Sequence, residues 1–234
     1  MSHHFMKPKL QITSLDQIRK HIKTARVKSK RSLKSCADEL NIHLKRFAAY
    51  ESGAMIPSLP EIELLAYYLK TPLLNILSEQ EDTNPFYTSD FTGEKAGSLL
   101  HLRHKMIGAK LRQLREEKQI SPSQLADQAG FLVEDLESFE LGQTPIRLSI
   151  LLRMLKVLDC SLQDIIDKTS PIGKWHQNAF SLKLFFQLPQ NMQSALLHSE
   201  DQKYLEFIQK LLCASKNDLD NLTQALKSLL SESV

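Results

Sequence analysis

Apolar residues recur along this chain at intervals of three and four, the spacing that puts them on one face of a helix. Leu15, Ile18, Ile22 and Ala25 mark a first such face. A second helix is predicted from Ser32 to about Asn41, a residue that tolerates the left-handed conformation at a helix end. A third covers about 44–52, with Phe47 and Tyr50 facing inward. Ser58-Leu59-Pro60-Glu61 reads as a capping box, opening a helix that carries Ile62, Leu65, Ala66 and Leu69. Pro72 then breaks the chain before a last turn from Leu73 to Leu77.

The same pattern returns 89 residues later. Arg26 falls on Arg115, Ser32 on Ser121, Ala37 on Ala126, Phe47 on Leu136, Tyr50 on Phe139, Glu51 on Glu140 and Gly53 on Gly142. Ser121-Pro122-Ser123-Gln124 is a second capping box, and its helix ends at Gly130. Leu136 and Phe139 face inward from a helix over about 133–141. Five short helices, two of them joined by a tight turn, make a helix-turn-helix plan.

The expected fold is therefore all-α: two five-helix units in tandem plus a C-terminal helical region. The divisions are an N-terminal tail (1–14), a first unit (15–80), an acidic linker (81–98), a second unit (99–170) and the C-terminal region (171–234). Phe86, Tyr87 and Phe91 are expected to fasten the linker to one of the units. In 171–234, Trp175, Phe180, Leu184 and Phe185 form one apolar face, and Pro189 opens a further helix. Later faces run through Tyr204, Phe207 and Leu211, then Leu219, Leu222, Leu226 and Leu229. These faces either pack onto the second unit or form a dimer interface.

Composition removes other classes. Seven glycines in 234 residues are too few for turn-rich all-β folds or phosphate-cradling loops. Cys36, Cys160 and Cys213 form no CxxC pair, which favours a reduced, cytoplasmic setting over a disulfide framework. The N-terminus lacks the apolar stretch of a signal peptide, and no run of about 18 apolar residues offers a membrane span. His101 and His104 stand three apart but lack a third ligand, so no metal is expected. No nucleophile, phosphate-loop or zinc-protease motif occurs, and neither an enzyme nor a cofactor is expected.

Both units resemble the lambda-repressor-like, Xre/Cro-type helix-turn-helix domain. The second carries the likeness in LRQLREEKQISPSQLADQAG and ESFELGQTP, the first in ARVKSKRSLKSCADELNI and AAYESGAMIPSLPEIELLAYYL. The resemblance implies ion pairs between the first-helix arginine and the glutamate closing the third helix, here Arg26–Glu51 and Arg115–Glu140. Such a pair either aims a guanidinium at a phosphate or only holds the unit together. It also implies that helix 3 enters the major groove of double-stranded DNA. The residues so assigned are His43, Leu44, Lys45, Arg46 and Ala49 for bases, and Arg26, Lys30, Ser32 and Lys34 for phosphates.

Charge separates the two units. Residues 17–50 hold ten Lys and Arg against Asp38 and Glu39. Residues 119–147 hold Arg147 alone against Asp127, Glu134, Asp135, Glu137 and Glu140. The first unit is expected to read DNA as part of a transcriptional regulator. The second keeps the fold without reading bases, serving as an internal partner of the first or carrying a protein on its acidic face. A homodimer or protein partner through 119–234 stays open, as does the rival in which the whole chain is an antitoxin-like or scaffold module.

Overall fold

The computed structural model describes residues 12–78 and 96–186, with 188–190, 193, 194, 221 and 224 beyond them. The expected positions in 86–91 and 204–229, apart from 221 and 224, lie outside the described residues. So do the side chains of Phe180, Leu184 and Phe185. The fold is all-helical. Two compact units are distinguished, 1–183 and 184–234. In the second, the Gln193 amide donates to the Pro189 carbonyl at 3.0 Å, one helical turn.

The first compact unit holds α1 (Leu15–Lys28), α2 (Leu33–Glu39), α3 (Leu44–Ser52), α4 (Leu59–Tyr68) and α5 (Leu73–Leu77). These are followed by α6 (Ala96–Glu117), α7 (Pro122–Ala129), α8 (Val133–Glu140), α9 (Leu148–Val157) and α10 (Leu162–Ile165). α11 (Pro171–Phe186) begins in the same unit. The backbone repeats as faithfully as the sequence. Among the described residues, left-handed φ values occur at Lys30 and Gln119, Asn41 and Gly130, Gly53 and Gly142, and Lys70 and Asp159. Every one of these pairs is separated by the same 89 positions.

Helix starts follow local chemistry. Ser32, Ser58 and Ser121 cap α2, α4 and α7 through their hydroxyls. Capping boxes close at Ser58–Glu61 and Ser121–Gln124. A third, Ser161–Asp164, opens the short α10.

The two sets of five helices, expected as separate domains, share one continuous core within one compact unit. α4 lies at its centre, with nine of its ten residues buried, whereas α9 buries only Leu148, Leu151, Met154 and Leu155. α4 is apolar on nearly all sides because it meets neighbours on all sides. One neighbour is α6, which begins at Ala96, inside the expected linker. Its first turns extend beyond the α1 pattern and run along the first set. Gly97 sits against Asn41, and Arg103 grips Glu63 on α4.

The other neighbour is the start of α11, which lies against Asp167 of the second set as well as against α4. The start of α11 packs on α4 of the first set: Trp175 meets Tyr67 edge-on at 5.2 Å, and His176 Nε2 lies 2.9 Å from the Glu63 carbonyl. The sets also meet at an isolated antiparallel bridge between Ser58 and Arg147, where the Leu148 amide donates to the Pro57 carbonyl at 3.0 Å.

Candidate nucleic-acid interface

The first three helices of each set are held by the same clamp. Arg26 donates through Nε and Nη2 to both oxygens of Glu51, at 2.6 and 3.0 Å, and through Nη1 to the Arg31 carbonyl at 3.0 Å. Arg115 does the same to Glu140, at 2.6 and 2.9 Å, with a longer 3.4 Å bond to the Ile120 carbonyl. The guanidinium thus ties the first helix of a set, the turn before its second helix and the end of its third. The bond to Glu51 raises the Arg26 pKa, so the clamp stays ionised. Three of the five guanidinium N–H groups are thus spent inside the protein, which makes Arg26 first of all a clamp.

Around the clamp, the first set presents cations. Lys28, Lys30, Arg31 and Lys34 are exposed beside the start of α2, and Arg31 lies over the Tyr68 ring at 4.7 Å. Ser32 is exposed, but its hydroxyl already accepts the Ser35 amide at 2.9 Å. Lys45 projects from the exposed first turn of α3, next to Leu44, which is 43% exposed. His43 is the N-cap of α3, its Nδ1 accepting the Lys45 amide at 3.2 Å, so only the outer edge of the ring remains free. Ala49 is half-buried.

Arg46 departs from the base-reading role given to it. It turns inward, donating to Tyr50 Oη at 2.7 Å and to Glu61 Oε1 at 3.0 Å. Tyr50 Oη donates to the same oxygen at 2.9 Å, while Glu61 Oε2 accepts the Ser58 amide and hydroxyl, each at 2.7 Å. A buried carboxylate needs such a full set of donors. Releasing Arg46 to a base would leave Glu61 short of its one cation.

α8 occupies the register of α3 with different chemistry. Glu134, Asp135 and Glu137 are exposed. Leu132, the N-cap, makes no side-chain cap bond and is 68% exposed; Val133 and Leu141 are 40% and 43% exposed. The clamp is intact, yet the outward face is acidic and apolar.

A second polar cluster joins the sets, and sequence reasoning missed it. Glu63, on α4, is buried and receives Arg103 Nε and Nη2 at 3.0 and 3.1 Å, with the Asp167 amide at 2.8 Å. Arg103 also donates to the Ile165 carbonyl. Burial raises the Glu63 pKa against the opposing pull of Arg103. Burial also pushes the His176 imidazole down to about 4, and its Nδ1 has no partner among the described residues. The available signal was two carboxylates, Glu61 and Glu63, inside an otherwise apolar helix.

Other candidate chemistry is quiet. Burial raises the Cys36 thiol to about 11, which leaves it protonated in the core. His104 is half-buried, with its pKa lowered by burial, in a groove of about 190 Å³ that Arg46, Glu61 and His101 also line. Among the described residues, no three or more His, Cys, Asp or Glu side chains gather as a metal site. No helix among them is long and apolar enough to cross a membrane.

The model of a family described as a helix-turn-helix domain matches residues 107–165, from within α6 to the end of α10. No curated protein and no solved structure matches the chain. The matched stretch holds the acidic α8, while Lys30, Arg31, Lys34 and Lys45 lie on the set that precedes it. Residues 107–165 of this all-helical chain are thus similar to a helix-turn-helix domain, a kind of domain suited in general to DNA binding.

Proposed function

We propose that this protein is a sequence-specific, DNA-binding transcriptional regulator of the cytoplasm, built from two lambda-repressor-like units of the Xre type. The first unit, 15–80, inserts α3 into the major groove. Lys45 faces guanine edges, Leu44 meets thymine methyl groups and the outer edge of His43 reaches a base or phosphate. Lys30, Arg31 and Lys34 neutralise phosphates, and release of their counterions supplies most of the affinity. The observation that carries the reading is the coincidence of exposed Lys30, Lys34 and Lys45 with the outer side of a clamped helix-turn-helix. No catalysis is assigned to the chain.

The test is a fluorescence titration of the full chain with genomic duplex fragments, with and without Lys45→Ala. Unchanged binding by the variant would sink the assignment of α3. Affinity that does not fall steeply with salt would sink the phosphate contacts.

A second reading has its own observation. The exposed Leu132, Val133 and Leu141 sit among Glu134, Asp135 and Glu137, a surface of the kind that protein partners cover. In that reading the second unit carries a protein partner, in the manner of an antitoxin-like or scaffold module. One stoichiometric protein partner, with no DNA selected, would favour it over the first.

A further inference from the structure

We infer that the DNA site of this protein is asymmetric: a single base-read block, with no base-read mate across an internal two-fold axis. The inference rests on the DNA-binding reading above. It begins with the bridge between Ser58 and Arg147. These are equivalent residues, 89 positions apart, and the pairing is antiparallel. A segment that pairs antiparallel with its own equivalent lies on a local two-fold axis, as in an isologous dimer. At this bridge the chain thus pairs equivalent positions of its two sets about a local two-fold axis, a relation that dimeric helix-turn-helix proteins create from two molecules.

In those dimers, protein symmetry is matched by inverted half-sites about one helical turn apart. Here the two sets share their local backbone pattern and differ in their side chains. Lys45 has Glu134 as its equivalent, and the surroundings of the second helix change in the same sense. Lys28, Lys30, Arg31 and Lys34 become Glu117, Gln119, Ile120 and Ser123. Glu117, Gln119, Ser123 and Glu134 are all exposed, so the loss of cations is a property of the surface. A carboxylate facing phosphates is repelled, and among base edges it is suited to the cytosine amino group. The second set keeps exposed cations on α6, among them Arg112 and Lys118, that can meet phosphates, but it lacks the base-reading side chains of α3.

The ligand is then double-stranded DNA with one uninterrupted block of base preference, about half a helical turn or roughly five base pairs. One chain binds each block. The test is selection of the full chain against a random duplex library, with native mass measurement of the selected complex. The expected result is a single motif and one chain per duplex. An inverted repeat of the motif, spaced by about one turn, overturns the asymmetry and leaves the DNA-binding reading standing. Absence of any enriched sequence overturns the reading itself. Glu134→Ala with Glu137→Ala is expected to leave every motif position unchanged; loss of any position assigns base reading to α8 and overturns the inference.

Discussion

α3 and α8 sit in the same frame and carry opposite charge. Each is pinned at its C-terminal end by an arginine fork, with the third donor spent on a carbonyl one turn away. Everything that fixes their position has been kept, down to the left-handed residues on either side. What differs is the solvent side, where Lys45 stands in one helix and Glu134 in the other. The contrast separates two roles that arginine and lysine share in such a motif. The clamp belongs to the fold and is present in both sets; the exposed lysine on the third helix is present in one, and under the proposed function it serves the DNA.

The sharpest break in the comparison is at Glu63, whose equivalent is the half-buried Leu152. Glu63→Ala strands Arg103 without its carboxylate and is expected to cost about 3–5 kcal/mol, against about 1 kcal/mol for Leu152→Ala. Equilibrium denaturation measures both, and near-equal losses would show that the buried pair does not join the sets. The clamps come next. Glu51→Ala and Glu140→Ala are each expected to cost about 3 kcal/mol, within about 1 kcal/mol of one another. A much cheaper Glu140→Ala would mean that the second clamp is vestigial.

His176 lies against the Glu63 carbonyl on α4 and feels the Asp167 carboxylate of the second set, so its titration reports that joint. Its folded pKa of about 4 lies below the ordinary 6.5, so its contribution is complete above pH 6.5 and is lost as pH falls towards 4. Glu63, with a raised pKa, works in the opposite sense. The difference in melting temperature between the parent and His176→Gln should therefore shrink between pH 6.5 and 4. A pH-independent difference would remove the imidazole from the account.

The DNA measurements follow. Lys45→Ala is expected to weaken binding about 10- to 100-fold and relax preference at one base pair, while Glu134→Ala stays within about twofold. Lys34→Ala should weaken all sequences by a similar, smaller factor and reduce the salt slope by about one. A change in sequence preference with Lys34→Ala would move that residue from the phosphates to the bases.

Much of the fold was legible because its determinants are local. Ser58 and Glu61 are three residues apart, as are Ser121 and Gln124, and each capping box follows from hydrogen bonds within one turn. The clamp residues came from the resemblance to the helix-turn-helix family, which implies both Arg–Glu pairs. The fate of Arg46 was not legible, because it depends on Glu61, fifteen positions away on another helix. Spacing placed Arg46 near the groove-facing end of α3; a buried carboxylate drew it inward. The joint at Glu63 was hidden for the same reason. It gathers Arg103, Asp167 and His176, at separations of 40, 104 and 113 residues, which no periodicity connects. The start of α6 was placed late because Ala96, Gly97 and Ser98 carry no strong helix signal, and their turn packs against the first set.

The bridge between Ser58 and Arg147 also bears on how this protein responds to its own abundance. Two identical subunits meeting at such an axis would come apart on dilution, and their pairing would scale with the square of concentration. Here both partners belong to one chain, so the encounter is intramolecular and its effective concentration is set by the connecting residues. The melting temperature of this pairing does not depend on protein concentration, in contrast to an obligate dimer. The pairing of these two segments is therefore the same at a few copies per cell as in a concentrated solution.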